Sequence, residues 1–478
     1  MTETLRRIAI DPLSRVEGHG KVTLLLDDAG HVHEARLHIV EFRGFEAFIV
    51  GRPYWEVPVV VQRLCGICPV SHNLCAAKAL DAVVGAVPPP SAVKLRRLMH
   101  AGQLLQSHAL HFFHLASPDL LFGFDSDVSK RNLIGLVEKH PELAKKGVLL
   151  RKFGQQVLEA VYGKRIHGTG AIPGGVNRHL AIDARDAFLK QLPDIKAWSL
   201  DAVALARELT LKNVERHKGF GTVPSALLSL VAADGSLDLY DGGLRAKDAD
   251  GRVLFDGLDA SSYRHLIKEE VRPWSYMKFP YLAAMGPESG WYKVGPLARL
   301  QVCDRLSTPL AEAARRDFLA STTGINHAPL AFHWARMVEL LHCAEDIEHL
   351  LHDEALVMGE LVSTGERQRE GVGIIEAPRG TLIHHYEVGE DDLITRCNLI
   401  VSTTNNNQAM NEAIRSVARQ YIEGHRITEG LLNHVEVAVR AFDPCLSCAT
   451  HAMGKMPLEV SLVDARGEVV SSLRRGDA

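Results

Sequence analysis

The pattern of apolar and polar positions divides the chain into a short strand-rich beginning and a long helical remainder. From Arg7 to Val40, apolar and polar residues partly alternate on either side of the turn-forming stretch "DDAG", which is typical of antiparallel strands. From residue 71 onward, apolar residues recur at the spacing of amphipathic helices. We expect a small N-terminal sheet over residues 7–40 and a helical body from residue 71, with Ser71 as the N-cap of its first helix.

The helical body contains several long periodic segments. The spacing predicts helices over residues 91–115, 142–162, 181–216, 308–321, 328–352 and 408–441, the last one interrupted around "EGHRITEG". The zones 217–300 and 364–404 contain Gly, Pro and short β-branched runs, so we expect small sheets there, and the tail indicates two strands around "DARG". The predicted class is mainly α with small β-sheets (α+β), and no linker divides residues 1–451 into separate domains.

Composition places the chain among packed globular proteins. Of its 478 residues, 46% are hydrophobic and 23% are charged, and the formal net charge is -4. Because charges of both signs are interspersed, we predict no nucleic-acid partner. No apolar run reaches bilayer length, and the N-terminus lacks the apolar core of a secretion signal. We therefore predict no membrane span and a cytoplasmic location.

Four of the eight cysteines form two Cys-x-x-Cys pairs, each followed closely by a histidine. They stand in "RLCGICPVSH" (63–72) and in "DPCLSCATH" (443–451). One pair alone has an ordinary explanation as a small structural zinc knuckle or as two core cysteines. Zinc ribbons, however, bring their second pair within about 15 to 20 residues, whereas 376 residues separate Cys68 from Cys445. A local zinc ribbon is therefore disfavoured.

Bringing the two pairs together is thermodynamically reasonable. Closing so long a loop costs about 5 kcal/mol, while a tetrathiolate metal site contributes about 10 to 16 kcal/mol. Neither pair has the βαβ setting of a thioredoxin-like redox motif. Four thiolates select thiophilic metals such as iron, nickel, zinc or copper(I), and the spacing alone does not choose among them.

Both cysteine motifs resemble those of the large subunit of nickel–iron hydrogenases, Arg-x-Cys-Gly-x-Cys-x-x-x-His and Asp-Pro-Cys-x-x-Cys-x-x-His. The similarity includes "DPLSRVEGHGK" (11–21), "EFRGFE" (41–46), "IPGGV" (172–176) and "EAPRG" (376–380), and it runs from residue 8 to the tail. Segments such as "WSYMKFPYL" are most similar to the catalytic subunit of soluble, NAD-reducing bidirectional hydrogenases. The resemblance implies the central helical bundle of that family and reversible, heterolytic splitting of H2.

The resemblance also implies a nickel–iron centre whose iron carries carbon monoxide and cyanide. Cys65 and Cys445 would be terminal ligands of nickel, and Cys68 and Cys448 would bridge nickel to iron. Four thiolates supply polarisable ligation together with a sulfur that can accept a proton when H2 splits.

Three further residues match the family's catalytic surroundings. Glu17 would carry the proton away from Cys445, although a lone glutamate at the end of a strand is otherwise read as a surface carboxylate. Arg379 would hold its guanidinium over the open site, where several fixed donors suit a dry pocket. His72 would lie beside the bridging thiolates and orient them, and its ordinary alternative is a capping or core histidine.

The remaining assignments concern a hard ion and residues outside the motifs. The resemblance assigns Glu46 and His451 to a structural Mg2+ or similar ion, with Glu41 as an alternative to Glu46. Asp443 is either part of the site or a turn residue before Pro444. We expect ordinary core or helix-face roles for the other chemically reactive side chains: Cys75, Cys303, Cys343, Cys397, His108, His111 and His114.

Electrons and NAD are expected to be handled by other subunits. The chain has no Gly-x-Gly-x-x-Gly after a strand and no Walker loop, and the four site cysteines leave no motif for an iron–sulfur cluster. The resemblance implies a small subunit with an iron–sulfur cluster and diaphorase subunits beyond it. It also implies nickel-insertion proteins and an endopeptidase that removes residues 452–478 on maturation.

Three alternatives remain open at the level of sequence. A coenzyme F420-reducing or NADP-linked hydrogenase is the nearest one. The quinone-site subunit of respiratory complex I shares the fold but lacks the paired cysteines. A non-catalytic, zinc-stapled scaffold belongs to a different class of protein, and nickel content separates it from a hydrogenase.

Overall fold

Helices and short strands alternate along the chain, and the long helices form its centre. The computed structural model describes residues 6–29, 31–422, 428–451, 459–463 and 469–474. The strands are β1 (Arg6–Ile10), β2 (Gly20–Leu26), β3 (Val32–Ile39), β4 (Ala171–Ile172), β5 (Gly175–Val176), β6 (Ala226–Val231), β7 (Gly243–Lys247), β8 (Val253–Leu258), β9 (Ile267–Glu270), β10 (Phe279–Leu282), β11 (Tyr292–Lys293), β12 (Glu370–Ala377), β13 (Gly380–Val388), β14 (Ile394–Ile400), β15 (Glu459–Val463) and β16 (Val469–Arg474).

The helices include both long core helices and single turns. They are α1 (Phe45–Ile49), α2 (Val57–Val60), α3 (Pro69–Val83), α4 (Pro90–Leu110), α5 (Ser117–Phe122), α6 (Leu133–Lys139), α7 (Pro141–Tyr162), α8 (Ile182–Lys212), α9 (Val214–Gly219), α10 (Tyr263–Leu266), α11 (Gly286–Ser289), α12 (Pro296–Val302), α13 (Pro309–Ala320), α14 (Ala331–Leu351), α15 (Ser402–Asn405), α16 (Asn407–Tyr421) and α17 (Glu429–Ala441).

Four of the long helices pack together as the core bundle. Helix α4 packs against α7 and α14, and α14 packs in turn against α8. Helices α4 and α14 are buried over most of their surface, as expected for helices that are apolar on several faces. The predicted class, mainly α with small sheets, is confirmed.

The start of α3 differs from the prediction. The helix begins at Pro69, immediately after Cys68, so Ser71 lies in its first turn and the N-cap prediction was wrong. Proline is favoured at the first helical position because its fixed φ suits the helix and its missing N–H would have no partner there. This placement puts Cys68 at the helix N-terminus, next to the cluster that it joins.

The predicted helix 91–115 also has a different internal structure. Helix α4 ends at Leu110 and continues as a π-helical segment, His111–Ala116, into α5. The helical pattern over 408–441 is divided into α16 and α17, and residues 423–427 between them lie outside the described residues.

Small sheets surround the bundle. Strands β1, β2 and β3 form the antiparallel N-terminal sheet, and β11, β6, β7 and β8 form a mixed sheet within 217–300. The antiparallel β12–β13–β14 sheet lies on α3. In the tail, β15 pairs with β16, and the "DARG" turn lies outside the described residues.

Two connections bring distant parts of the chain to one place. The β12–β13 hairpin turns at Pro378 and Arg379, directly beside the end of α17. The segment after β1 returns as a short extended stretch that forms a parallel bridge between Glu17 and Cys445. Within the described ranges, no helix is long and apolar enough to cross a membrane.

Candidate metal centre

The four paired cysteines meet in one buried cluster. Their sulfur atoms lie within 4.8 Å of one another. Cys65 Sγ is 3.1 Å from Cys445 Sγ, and Cys68 Sγ is 3.8 Å from Cys448 Sγ, so each contact joins the two ends of the chain. Cys445 Sγ and Cys448 Sγ are 2.9 Å apart. A sulfur quartet of this kind is the donor set that soft, thiophilic metals prefer.

Backbone groups hold the cysteine pairs in place. Cys65 ends a short 3-10 turn in an extended conformation, and the N–H groups of Ile67 and Cys68 donate to its sulfur at 3.2 and 3.4 Å. On the other side, the N–H of Cys445 donates to Thr403 Oγ1 at 2.9 Å. Two backbone N–H groups thus hold the sulfur of Cys65 directly, and the Thr403 contact fixes the backbone of Cys445.

Mutual hydrogen bonding divides the four thiols into two types. Burial opposes ionisation of Cys65, but hydrogen bonds from neighbouring thiols, Cys445 first, hold its pKa well below the usual value. Hydrogen bonds from Cys445 and Cys448 lower the pKa of Cys68 to about 6. Burial raises the pKa of both Cys445 and Cys448 well above the usual value. Four thiolates this close need a cation, and a bound metal ion supplies one.

Glu17 contacts the cluster directly. Its Oε2 lies 3.0 Å from Cys445 Sγ and accepts the backbone N–H of Ser447 at 3.1 Å. The next residue, Gly18, has a φ of +84°, and a Cβ there would lie 2.7 Å from the Ser447 nitrogen. Only glycine therefore allows the two segments to approach so closely.

Arg379 is anchored by a buried carboxylate that the sequence left as either a site or a turn residue. Its Nε donates to the Asp443 carbonyl at 2.6 Å and its Nη2 to Asp443 Oδ1 at 3.1 Å. Burial disfavours its charge, but Asp443 and the cysteine cluster raise the pKa of Arg379 well above the usual value. Arg379 lines the same small cavity as Cys68 and Cys445. Its Nη1 has no partner among the described residues.

A buried ion network supports the loop that carries Arg379. Arg299 donates to Glu339 through two nitrogens at 2.6 Å and to Glu376 at 2.9 Å. It also donates to the carbonyls of Ala377 and Pro378 at 2.8 and 3.2 Å. The hairpin turn is thus fixed from behind by a charged side chain that is itself fully paired.

Family profiles cover most of the chain. The profile described as "Nickel-dependent hydrogenase" matches residues 43–122 and 242–451, and the one described as "HoxL-like" matches residues 7–42. The chain belongs to the nickel-dependent hydrogenases.

Curated hydrogenases are similar over almost the full length of the chain. The "NAD-reducing hydrogenase HoxS subunit beta" of Cupriavidus necator is 47% identical, with 98% of this chain and 100% of the relative covered. A subunit of the vhc F420-non-reducing hydrogenase of Methanococcus voltae is 38% identical over the same shares. Both relatives are named as subunits of larger enzymes.

Solved hydrogenase structures have the same fold. An NAD+-reducing [NiFe]-hydrogenase in the H2-reduced state is 62% identical with a TM-score of 0.92, covering 94% of this chain and 100% of that one. The Ni-Fe-Se hydrogenase of D. vulgaris Hildenborough is 24% identical with a TM-score of 0.76 at the same coverage, and it supports the fold alone. The large-subunit fold of a nickel–iron hydrogenase is confirmed, and the chain keeps the paired cysteines that the complex I subunit lacks.

His72 lies beside the hydrogenase cluster in a chain of buried rings. It lines the cavity with Cys68 and Cys448, and its Nδ1 is 3.2 Å from His384 Nε2. His384 was given no role from the sequence, and Asp443 was left as either a site or a turn residue, although Asp443 stands within a quoted family motif and His384 close to one. Their contacts cross from one segment to another, so spacing along the chain gave no signal for them.

The residues expected to hold a hard ion lie in two different surroundings. Glu46 accepts Lys278 Nζ at 3.0 and 3.1 Å and the Leu399 N–H at 2.8 Å. His451 is buried, and neither of its ring nitrogens has a partner among the described residues. Glu41, the alternative to Glu46, contacts Ser447 and His19 instead.

The side chains expected outside the motifs have structural contacts. Cys75, Cys303 and Cys343 are buried, and Cys397 packs partly buried against the core. His108 contacts Glu339 at 3.0 Å. His111 contacts the Arg440 carbonyl at 2.7 Å, and His114 lies half-buried on the same helical stretch.

Proposed function

We propose that this hydrogenase subunit splits H2 at a nickel–iron centre held by the four cysteines, and that the electrons finally reduce NAD+ in a partner module. The observation that carries the proposal is the buried sulfur quartet with the Glu17 carboxylate 3.0 Å from one sulfur, Cys445 Sγ. When bound, the centre, with carbon monoxide and cyanide on its iron, supplies the metal acceptor for heterolytic cleavage of H2.

The protein's own residues divide the ligand roles. When the centre is bound, Cys65 and Cys445 would hold nickel, and Cys68 and Cys448 would hold nickel together with iron. The fit rests on the donor set, because all four sulfurs are buried within 4.8 Å of one another and hydrogen bonds from neighbouring thiols lower the pKa of Cys65, against the effect of burial, and of Cys68. Thiolates are the form in which cysteine binds a metal.

The proton leaves Cys445 through Glu17. A thiol at Cys445 donates to Glu17 Oε2, and the hydroxyl of Ser447, whose N–H also holds Glu17, lies 3.3 Å from Glu41 Oε2. Glu41 Oε1 is 3.1 Å from the exposed ring of His19. The Ser447 N–H fixes the Glu17 carboxylate in place, while the Ser447 hydroxyl, Glu41 and His19 are the nearby groups that can hold or pass a proton towards the surface.

Arg379 and His72 line the buried cavity beside the cysteines. The guanidinium of Arg379 is fixed by Asp443 and stays charged, so its free Nη1 is available as a donor in the cavity. His72 supports the bridging thiolates from the same cavity.

We assign the hard-ion site to His451 and Glu46. The unpartnered, buried nitrogens of His451 fit a ligand role, since such atoms otherwise cost free energy. Glu46 offers the carboxylate that Mg2+ prefers, and Lys278 occupies it in this structure. Glu41 belongs to the proton route instead. Mg2+ binding therefore requires Lys278 to withdraw from Glu46, and Glu269, 3.4 Å away from the amine, can then hold it.

Electrons leave through another subunit. Each of the four cysteines outside the quartet is separate from it and from any second cysteine cluster in the described part of the chain. We assign the exit of the electrons to a small subunit with an iron–sulfur cluster, followed by diaphorase subunits that bind NAD. Exposed apolar side chains just before the first motif, including Phe42, Phe48 and Trp55, suit a partner surface near the cluster.

Maturation removes the tail once nickel is in place. Cys448 stands three residues before His451, and both are buried, so the cleavage site follows the last buried residues of the motif directly in the sequence. We assign nickel insertion to dedicated proteins and the cleavage to an endopeptidase that acts after His451, in the cytoplasm. The intact mass of the subunit from the mature complex checks this assignment, since the mass should be that of a chain that ends at His451.

The acceptor is tested on the purified complex. Under H2, we expect reduction of NAD+, with little or no reduction of NADP+ or coenzyme F420. The similarity to two NAD-reducing enzymes supports this order. If the complex oxidises H2 with an artificial dye but with none of the three physiological acceptors, the hydrogenase activity would be supported and the assignment of NAD+ as acceptor would be wrong.

A further inference from the structure

Two consecutive histidines of strand β13, His384 and His385, point to opposite faces of the sheet. Successive side chains of a strand alternate in direction, so His384 and Tyr386 share one face and His385 takes the other. His385 contacts Tyr263 and the half-buried Glu370. His384 and Tyr386 instead point to the side of the metal centre, where His384 meets His72.

The hydroxyl of Tyr386 has one hydrogen-bond partner in the described part of the chain. It lies 2.7 Å from His384 Nδ1, and both residues are fully buried. A buried phenol must place its hydrogen on an acceptor, because an unpaired donor carries the full desolvation penalty. The hydrogen therefore points from Tyr386 to His384 Nδ1, which must be the unprotonated nitrogen of that ring.

The hydrogen bond from Tyr386 also fixes the direction of the next hydrogen bond, between His384 and His72. With Nδ1 as acceptor, neutral His384 carries its proton on Nε2 and donates to His72 Nδ1, 3.2 Å away. Burial lowers the pKa of His384 well below its usual value, so the ring stays neutral, and burial raises the pKa of Tyr386, so the phenol keeps its hydrogen. His72, accepting at Nδ1, carries a proton on Nε2.

We propose that Tyr386 is a positioning residue that fixes the tautomer of His72 through His384, so that His72 presents an N–H donor at Nε2 to the cysteine cluster. Nε2 makes no hydrogen bond to the described protein, and His72 lines the cavity with Cys68 and Cys448. An N–H group in this cavity is available as a donor to the thiolates that hold the centre, and such a donor would withdraw electron density from them. The reverse direction would leave Nε2 without a hydrogen to donate. This inference rests on the proposed nickel–iron centre.

The test compares Tyr386→Phe with a matched control. Tyr162 is also buried, but its hydroxyl has no partner in the described structure, so Tyr162→Phe removes the same group without touching the relay. In mature complex, Tyr386→Phe should shift the infrared bands of iron-bound carbon monoxide and cyanide to lower frequency, because the thiolates become more electron-rich. H2 oxidation should fall about fivefold, the effect of one net hydrogen bond, and Tyr162→Phe should change neither.

A double-mutant cycle shows whether Tyr386 acts through His384. In the His384→Gln background, Tyr386→Phe should cause no additional band shift. Bands unchanged by Tyr386→Phe in the parent, or shifted equally in the His384→Gln background, would overturn the inference.

A metal-independent measurement separates this inference from the proposed function. Spectra of the full-length, metal-free chain with 15N-histidine should show His72 and His384 as Nε2–H tautomers, and Tyr386→Phe should remove that preference. Nδ1–H tautomers in the parent would overturn the relay. Absence of nickel from the parent complex with intact tautomers would instead contradict the proposed centre.

Discussion

Cys445 Sγ and Glu17 Oε2 lie 3.0 Å apart, although 428 positions separate the two residues in the sequence. The contact depends on the parallel bridge between the same two residues and on the Leu446 N–H, which donates to the Glu17 carbonyl at 3.0 Å. Backbone and side-chain contacts thus hold Glu17 against the cysteine pair Cys445 and Cys448. A proton released at the cluster has a carboxylate within direct reach.

Glu17→Gln should abolish most of the activity without loss of the metal. The amide keeps the shape but is a far poorer proton acceptor, and a general acid–base group contributes about 10^2 to 10^4 in rate. H2 oxidation with a dye, measured beside the nickel content, checks this. Glu34→Gln, at an outward position of the N-terminal sheet where Glu34 pairs with Arg36, should keep full activity. Full activity in Glu17→Gln would move the proton route elsewhere.

Gly18→Ala should damage the site through the backbone. A Cβ at Gly18 would lie 2.7 and 2.8 Å from the Ser447 nitrogen and hydroxyl oxygen, which forces the Glu17 segment away from the cluster. Gly51→Ala is the matched control, because its φ of +82° is similar but no atom lies within 4 Å of its Cβ. Both variants should lose about 1 to 2 kcal/mol of stability from the left-handed backbone. Only Gly18→Ala should lose activity, and equal activities would contradict the close-approach argument.

Arg379→Lys should retain charge but lose the fixed geometry. Lysine cannot reproduce the donation from two guanidinium nitrogens to the Asp443 carbonyl and carboxylate. We expect turnover to fall about 100-fold, within the range for removing one preorganised donor, with a smaller change in the KM for H2. Steady-state kinetics at varied H2 pressure separates the two constants. A change confined to KM would mean that Arg379 only admits or binds H2.

Glu339→Ala should destabilise the whole subunit. The substitution leaves Arg299 buried with one carboxylate instead of two, and breaking a buried ion pair costs about 3 to 5 kcal/mol. Glu348→Ala on the same helix removes a partly exposed pair with Lys196 and should cost about 1 kcal/mol or less. Denaturant unfolding of both variants checks the contrast, and similar losses would argue against the importance of the buried network.

Stability should fall as the pH drops from about 6.5 towards 4. Burial lowers the pKa of His100 from 6.5 to about 4, so in this range the unfolded chain binds a proton that the folded chain does not. Each such group contributes a slope of up to about 1.4 kcal/mol per pH unit, with stability lost as pH falls. His100→Gln keeps a donor for the Leu239 and Glu376 carbonyls but removes this titration. Its unfolding free energy should therefore depend less on pH, and an unchanged slope would contradict a neutral His100.

The cysteine quartet and the helical body were predictable because both follow from local patterns. The spacing of the two pairs disfavoured a local zinc ribbon and the motif resemblance implied one shared site, while apolar periodicity gave the long helices to within a few residues. Ser71 was misplaced as an N-cap because the prediction did not take Pro69 into account, and the helix begins at Pro69, three residues earlier than predicted. The π-helical stretch after Leu110 has the same periodicity in sequence as an α-helix, so it gave no separate signal.

The supporting contacts could not be predicted in the same way. Three contacts join segments that are far apart in the chain. They are the ion pair of Lys278 with Glu46, the hydrogen bond from Arg379 to Asp443 and the contact between His384 and His72. Their geometry depends on how the sheets dock on the helices, which no local pattern encodes. The motif resemblance named the residues at the cluster but not the groups that hold them.

The most direct test of the central claim is the nickel and iron content of the purified mature complex, measured for the parent, Cys445→Ser and Cys343→Ser. Cys343 is buried but lies outside the quartet, so it controls for loss of a core thiol. We expect one nickel and one iron per chain in the parent and in Cys343→Ser, with nickel lost from Cys445→Ser. Full nickel in Cys445→Ser, or zinc alone in an active parent, would contradict it.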